Sequence, residues 1–148
     1  MHNTSRDGVL RRSVESALYA AIDRSDAHHE KSARLLTMLR GRLLVPTTVL
    51  TETSWHVEKH LGAKAEAAFL ESMAEGELEM TELLPADLWR ASELVRTYAD
   101  LRLGLVDASV VALAERLGVH QVATVDRRHF TVIRPCHVPA LTLLPRAL

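Results

Sequence analysis

Apolar residues recur along this chain at helical spacing in long stretches and as short unbroken runs between them. Val14, Leu18, Ala21 and Ile22 share one side of a helix over Ser13 to Asp23, and Leu35, Leu36 and Leu39 share one side of a second over Asp26 to Leu39, with Asp26 as its N-cap. Gly41 stops that helix. Leu43-Leu44-Val45 reads as a buried strand closed by Pro46, after which Thr47 or Thr48 caps a helix running to Gly62. Ala63 to Ala74 continues as its antiparallel partner across the glycine. Glu77 to Leu83 predicts a strand with Leu78, Met80 and Leu83 inward, and Pro85 opens a helix through about Tyr98. A helix over Leu103 to Leu117 ends at Gly118, Gln121 to Val125 is the next strand, and Phe130 to Ile133 is read as the last. Strands alternating with helices imply an α/β fold, with a mostly parallel sheet of four to five strands between two helical layers.

Two carboxylates interrupt this pattern. On the helical wheel Leu103, Val110, Ala114 and Leu117 form one face, and Asp107 falls inside that apolar arc beside Val111. A buried carboxylate without a partner costs several kcal/mol in practice, so it normally has a cation, a hydrogen bond or a task. Asp126 follows the Gln121 to Val125 run, at the carboxyl edge where open α/β sheets bind ligands. Together they suggest a metal site. The structural alternatives are that Asp107 caps its helix and Asp126 starts a turn. Glu52 lies opposite the Leu50, Val57 and Leu61 stripe, as a solvated side chain would. His56-Val-Glu-Lys-His60 places two histidines one turn apart, but without the order of a zinc metalloprotease helix. His28-His29 reads as an exposed helix start, and His129 as a structural histidine or, alternatively, a substrate contact.

Composition narrows the class. The 148 residues suit one domain, 14–148, behind a polar flexible arm over 1–13. Arg11-Arg12 follows Val9-Leu10 at once, so no signal peptide or membrane span is expected, and the expected location is the cytoplasm. The lone Cys136 has no internal disulfide partner, in keeping with a reducing compartment. A net charge of −1 does not by itself announce a nucleic-acid binder. Arginine nevertheless supplies fifteen of the eighteen basic residues, and Arg127, Arg128 and Arg134 stand beside Asp126, where guanidinium groups suit phosphates.

Tyr98-Ala-Asp100-Leu-Arg-Leu-Gly-Leu-Val-Asp107-Ala-Ser with Thr124-Val-Asp126-Arg-Arg-His-Phe130 resembles the PIN-domain ribonucleases, specifically the VapC-type toxins of bacterial toxin–antitoxin pairs. Val49-Leu-Thr-Glu52-Thr resembles that family's second acidic motif, and Leu18-Tyr-Ala-Ala-Ile-Asp23-Arg-Ser-Asp-Ala-His-His29 the segment after its first, so the likeness spans 16 to about 135. It implies a PIN-like three-layer sandwich and a metal-dependent endoribonuclease, with Glu52, Asp107 and Asp126 as catalytic acids holding Mg²⁺ or Mn²⁺. Hard divalent ions prefer such oxygen ligands. It further implies substrate contacts from Thr124, Arg127 and Arg128, an RNA substrate, a homodimer and a VapB-type antitoxin. The antitoxin is expected over the groove near 47–75, where Trp55 and the alanine-rich helix offer apolar surface.

One acid departs from the family. Val14 stands two residues before Ser16, where that family carries its first Asp, and the preceding Val9 to Val14 makes an atypical first strand. Glu15 is the available substitute as a metal ligand. A one-residue shift within a strand turns a side chain to the opposite face, so its use requires a local distortion. Two expectations stand: a nuclease, impaired or not by this change, and a degenerate PIN domain that binds RNA or an antitoxin-like partner without cleaving.

Overall fold

The computed structural model describes residues 12–13, 15–39, 43–76, 78–124 and 127–146. The arm expected over 1–13 thus falls almost wholly outside the described residues, as do Val14, Val125 and Asp126. The described residues form five strands, β1 (Arg12–Ser13), β2 (Leu44–Pro46), β3 (Glu79–Thr81), β4 (Gln121–Ala123) and β5 (Thr142–Leu144), and six α-helices. The helices are α1 (Glu15–Ile22), α2 (His29–Met38), α3 (Thr47–Leu61), α4 (Ala63–Ala74), α5 (Pro85–Thr97) and α6 (Leu105–Leu117). Two helices therefore carry the chain between each successive pair from β1 to β4, as parallel strands require.

Every ladder among the described residues is parallel. β4 lies between β1 and β5, pairing Arg12 with Val122 and Gln121 with Thr142, while β2 pairs with β3 through Leu44 and Glu79. β2 also packs beside β1, giving the spatial order β3, β2, β1, β4, β5. The chain moves one way from β1 and then returns to β4 on its other side. Sheets that reverse in this way usually bind ligands at the carboxyl ends of the two central strands, here β1 and β4.

The helix α6 is the central pillar. Every residue from Ala108 to Ala114 is buried, so the single apolar face expected from its wheel is in fact an all-round one. Gly118 ends it in the left-handed conformation, φ 67°, which costs a glycine little. Around it gather Leu18, Leu43, Val45, Val49, Leu94 and Ile133.

The sequence expectations fail at several local points. Phe130 to Ile133 is a helical turn, in which Ile133 N–H donates to the His129 carbonyl at 3.0 Å. Phe130 and Ile133, three residues apart, are both buried, which fits a turn rather than alternation. The last strand is instead β5, a three-residue segment too short to stand out in the pattern. Met80 is 51% exposed, because β3 is an outermost strand with a neighbour on one side only. The position before α3 is Pro46, with no side-chain cap. Asp26 accepts from His28 N–H at 2.8 Å, which closes a turn and delays α2 to His29. His29 is half-buried rather than exposed, its Nδ1 lying 2.9 Å from the Ala20 carbonyl.

Two ion pairs tie α5 to α6. Asp87 meets Arg116 Nε at 2.9 Å, and Arg90 clasps Glu115 through Nε at 2.7 Å and Nη2 at 3.0 Å. Glu115 also accepts from Cys136 N–H at 2.7 Å. Burial alone pushes the Glu115 carboxyl up, but the Arg90 guanidinium and the Cys136 amide outweigh it and hold it below the ordinary value of 4.5. A carboxyl depressed in the folded state adds stability above its unfolded value and loses it as pH falls through the folded value. Denaturant midpoints measured downward from pH 6 should thus fall in the native protein once pH drops below 4.5. Glu115→Gln should flatten that part of the slope and cost about 1–2 kcal/mol at neutral pH.

Candidate metal and phosphodiester site

Asp107 is the third residue of α6, following Gly104 and two helical residues. It does not cap the helix; its position in the first turn suits a negative charge through the helix dipole. Its Oδ2 instead meets His129 Nδ1 at 2.5 Å, and the two side chains are 27% and 24% exposed. His129 Nε2 lies 3.1 Å from the Leu101 carbonyl. Among the described residues Asp107 Oδ1 has no hydrogen-bond partner, which leaves a hard oxygen donor at the mouth of the sheet's carboxyl edge.

Below Asp107 two hydroxyls join α3 to α6. Ser109 Oγ donates to the Val106 carbonyl at 2.7 Å, so Thr48 Oγ1, 2.7 Å away, is the donor to Ser109. Thr48 therefore braces the site rather than capping α3. A cleft of about 490 Å³ opens between the first turns of these helices, lined by Thr48, Thr51, Glu52, Trp55, Leu105 and Val106. Glu52 is thus a wall of the cleft beside Asp107's helix, with His56 3.9 Å from its carboxylate. Burial pushes the His56 imidazole below its ordinary value, against the pull of Glu52.

Thr124 is buried just past β4, and its N–H donates to the Leu144 carbonyl at 2.9 Å. Arg127 turns Nη2 to the Pro145 carbonyl at the end of β5. Arg128 is exposed. Glu15 opens α1 immediately beyond β1, so the alternation argument, which needs both residues in one strand, does not extend to it. Asp126 lies outside the described residues, and among the described residues no three potential ligands converge on one point. His56 and His60 stack at 6.0 Å with Tyr19 edge-on to both, a ring cluster rather than a zinc site.

The His129 contact with Asp107 is the feature that the sequence reading missed. The partners stand 22 residues apart with no shared local pattern, so only the turn after β4 brings them together.

The profile of the PIN domain family matches residues 15–134. A curated relative, "Ribonuclease VapC26" of Mycobacterium tuberculosis, is 32% identical over 130 residues, covering 88% of this chain and 96% of its own. Among solved structures, VapC20 of M. tuberculosis, described as a sarcin-ricin loop cleaving toxin, superposes with a TM-score of 0.77 at 19% identity, over 87% of this chain and 98% of that one. The DNA-bound VapBC of Salmonella typhimurium gives 0.66 at 18% identity, over 90% and 96%. The VapBC2 complex of Rickettsia felis gives 0.63 at 16%, over 90% and 96%.

Proposed function

Because this chain belongs to the PIN-domain family, we propose that it is a Mg²⁺- or Mn²⁺-dependent endoribonuclease, the toxin of a VapBC-type toxin–antitoxin pair. The relative that is 32% identical along most of both chains, and bears the name ribonuclease, carries this reading. The donor set supports it: among the described residues Asp107 Oδ1 has no hydrogen-bond partner, and Glu52 lines a cleft beside the same helix. Glu52, Asp107 and Asp126 hold the ion in this reading, with Glu15 in place of the family's first acid. When bound, the cation supplies charge stabilisation to the phosphodiester as the attacking and leaving oxygens exchange. Thr48 and Ser109 join the first turns of α3 and α6, which sets the Glu52 cleft beside the turn that carries Asp107. Arg128 steers the phosphate backbone, while Arg127 anchors the turn to the end of β5. Thr124 N–H ties the end of β4 to the Leu144 carbonyl of β5.

A VapB-type antitoxin completes the assembly. Trp55, Leu61 and Leu70 are exposed on α3 and α4, and a groove of about 320 Å³ runs between those helices past Leu50, Ser54 and Glu66. An apolar helix or strand from the antitoxin suits that surface, as does a second copy of this chain. Among the described residues no helix is long and apolar enough to cross a membrane.

The decisive assay uses the purified, antitoxin-free chain with matched single-stranded RNA and DNA. RNA cleavage should appear with Mn²⁺ or Mg²⁺, vanish with chelator and return on adding metal back. No cleavage by a folded sample would favour the binding module without activity, for which Val14 at the first acid's position is the specific sequence sign.

A further inference from the structure

A carboxylate's terminal torsion is broad, so Asp107 alone does not hold its two oxygens in one orientation. Here something holds it. His129 Nδ1 lies 2.5 Å from Oδ2, and its other nitrogen lies 3.1 Å from the Leu101 carbonyl, which fixes the ring plane. Both acceptors require the ring nitrogens to donate: the Nδ1–H tautomer suffices for Asp107, and a hydrogen on Nε2 adds the Leu101 bond. The backbone that presents Leu101 is itself constrained. Its successor Arg102 has φ 53°, the one non-glycine residue with positive φ among the described residues.

We propose that His129 is a positioning residue: clamped between Leu101 and Asp107, it locks the Asp107 carboxylate with Oδ2 occupied and Oδ1 directed to the divalent cation. The inference rests on the nuclease reading, since it takes Asp107 as a metal ligand. Partners that hold a ligating carboxylate typically change metal affinity by about 10–100-fold when removed.

The test is Mn²⁺ titration of the full chain, read by calorimetry and by the paramagnetic resonance signal of free Mn²⁺, with the thermal midpoint followed in parallel. His129→Asn keeps a donor near the Nδ1 position and reaches Asp107, whereas His129→Gln places its amide nearer the Nε2 position and Leu101. We expect His129→Ala and His129→Gln to bind Mn²⁺ about 10–100-fold more weakly, and His129→Asn to recover most of the loss. Equal affinity in wild type and a folded His129→Ala overturns the inference. If His129→Ala fails to fold, equal affinities in the Asn and Gln variants overturn it. Absence of Mn²⁺ binding in wild type is a different failure, removing the nuclease reading and this inference with it.

Discussion

Asp107→Asn should cut metal-dependent RNA cleavage by at least about a hundredfold, the equivalent of about 3 kcal/mol of transition-state stabilisation. The change removes one negative charge from an oxygen set that a hard cation requires, and removes little else. An asparagine oxygen still accepts from His129 Nδ1, and the first turn of α6 carries no cap from this side chain that would be lost. Thermal stability should therefore stay close to wild type while activity collapses. Parallel single-turnover assays and melting curves on the same preparation measure both. A variant that is folded and still fully active would place the metal elsewhere.

Asp87→Ala should produce the reverse pattern, a loss of about 3 kcal/mol in stability through a group remote from the cleft. Asp87 is 2% exposed and meets three hydrogen-bonding contacts. Its Oδ2 accepts from Leu84 N–H at 2.8 Å, closing the start of α5, and both oxygens lie within 3.1 Å of Arg116 Nε on α6. Truncation leaves an amide uncapped and a guanidinium without its counter-charge at once. Asp87→Asn retains the cap but not the charge, and should cost about half as much. Urea unfolding of the two variants separates the contributions. Equal losses would assign the whole effect to the ion pair.

What the sequence made legible follows the reach of local physics. Gly62 separates α3 from α4 with φ 89°, and Gly118 stops α6, because both terminations are written in one residue. Asp107 stood out because one charged position broke an apolar arc over about four turns. The Asp87 cap also had a local sign, Pro85 at the first helical position followed by an acid two residues later, although its use was not inferred. Contacts that join distant segments left no such sign. Thr48 and Ser109 are 61 residues apart, Arg90 and Glu115 25 apart, and each reads in isolation as an ordinary polar side chain. β5 escaped for a related reason: three half-buried residues become a strand only because β4 is there to pair with them.

The sheet order has a consequence for how such a protein can be made safely. β1, at Arg12–Ser13, finds its neighbour β4 only at Val122 and Ala123, and β4 is flanked in turn by a segment at Thr142–Leu144. Contacts of such long sequence separation form late, and a chain emerging from the ribosome offers its N-terminal portion first. The parallel pairing of β1 with β4 thus cannot form on a nascent chain until the residues of β4 have been made. A product ending before β4 would carry Glu52 and Asp107 but lack the strand that pairs with β1, so under the nuclease reading proposed above interrupted synthesis yields an inactive fragment.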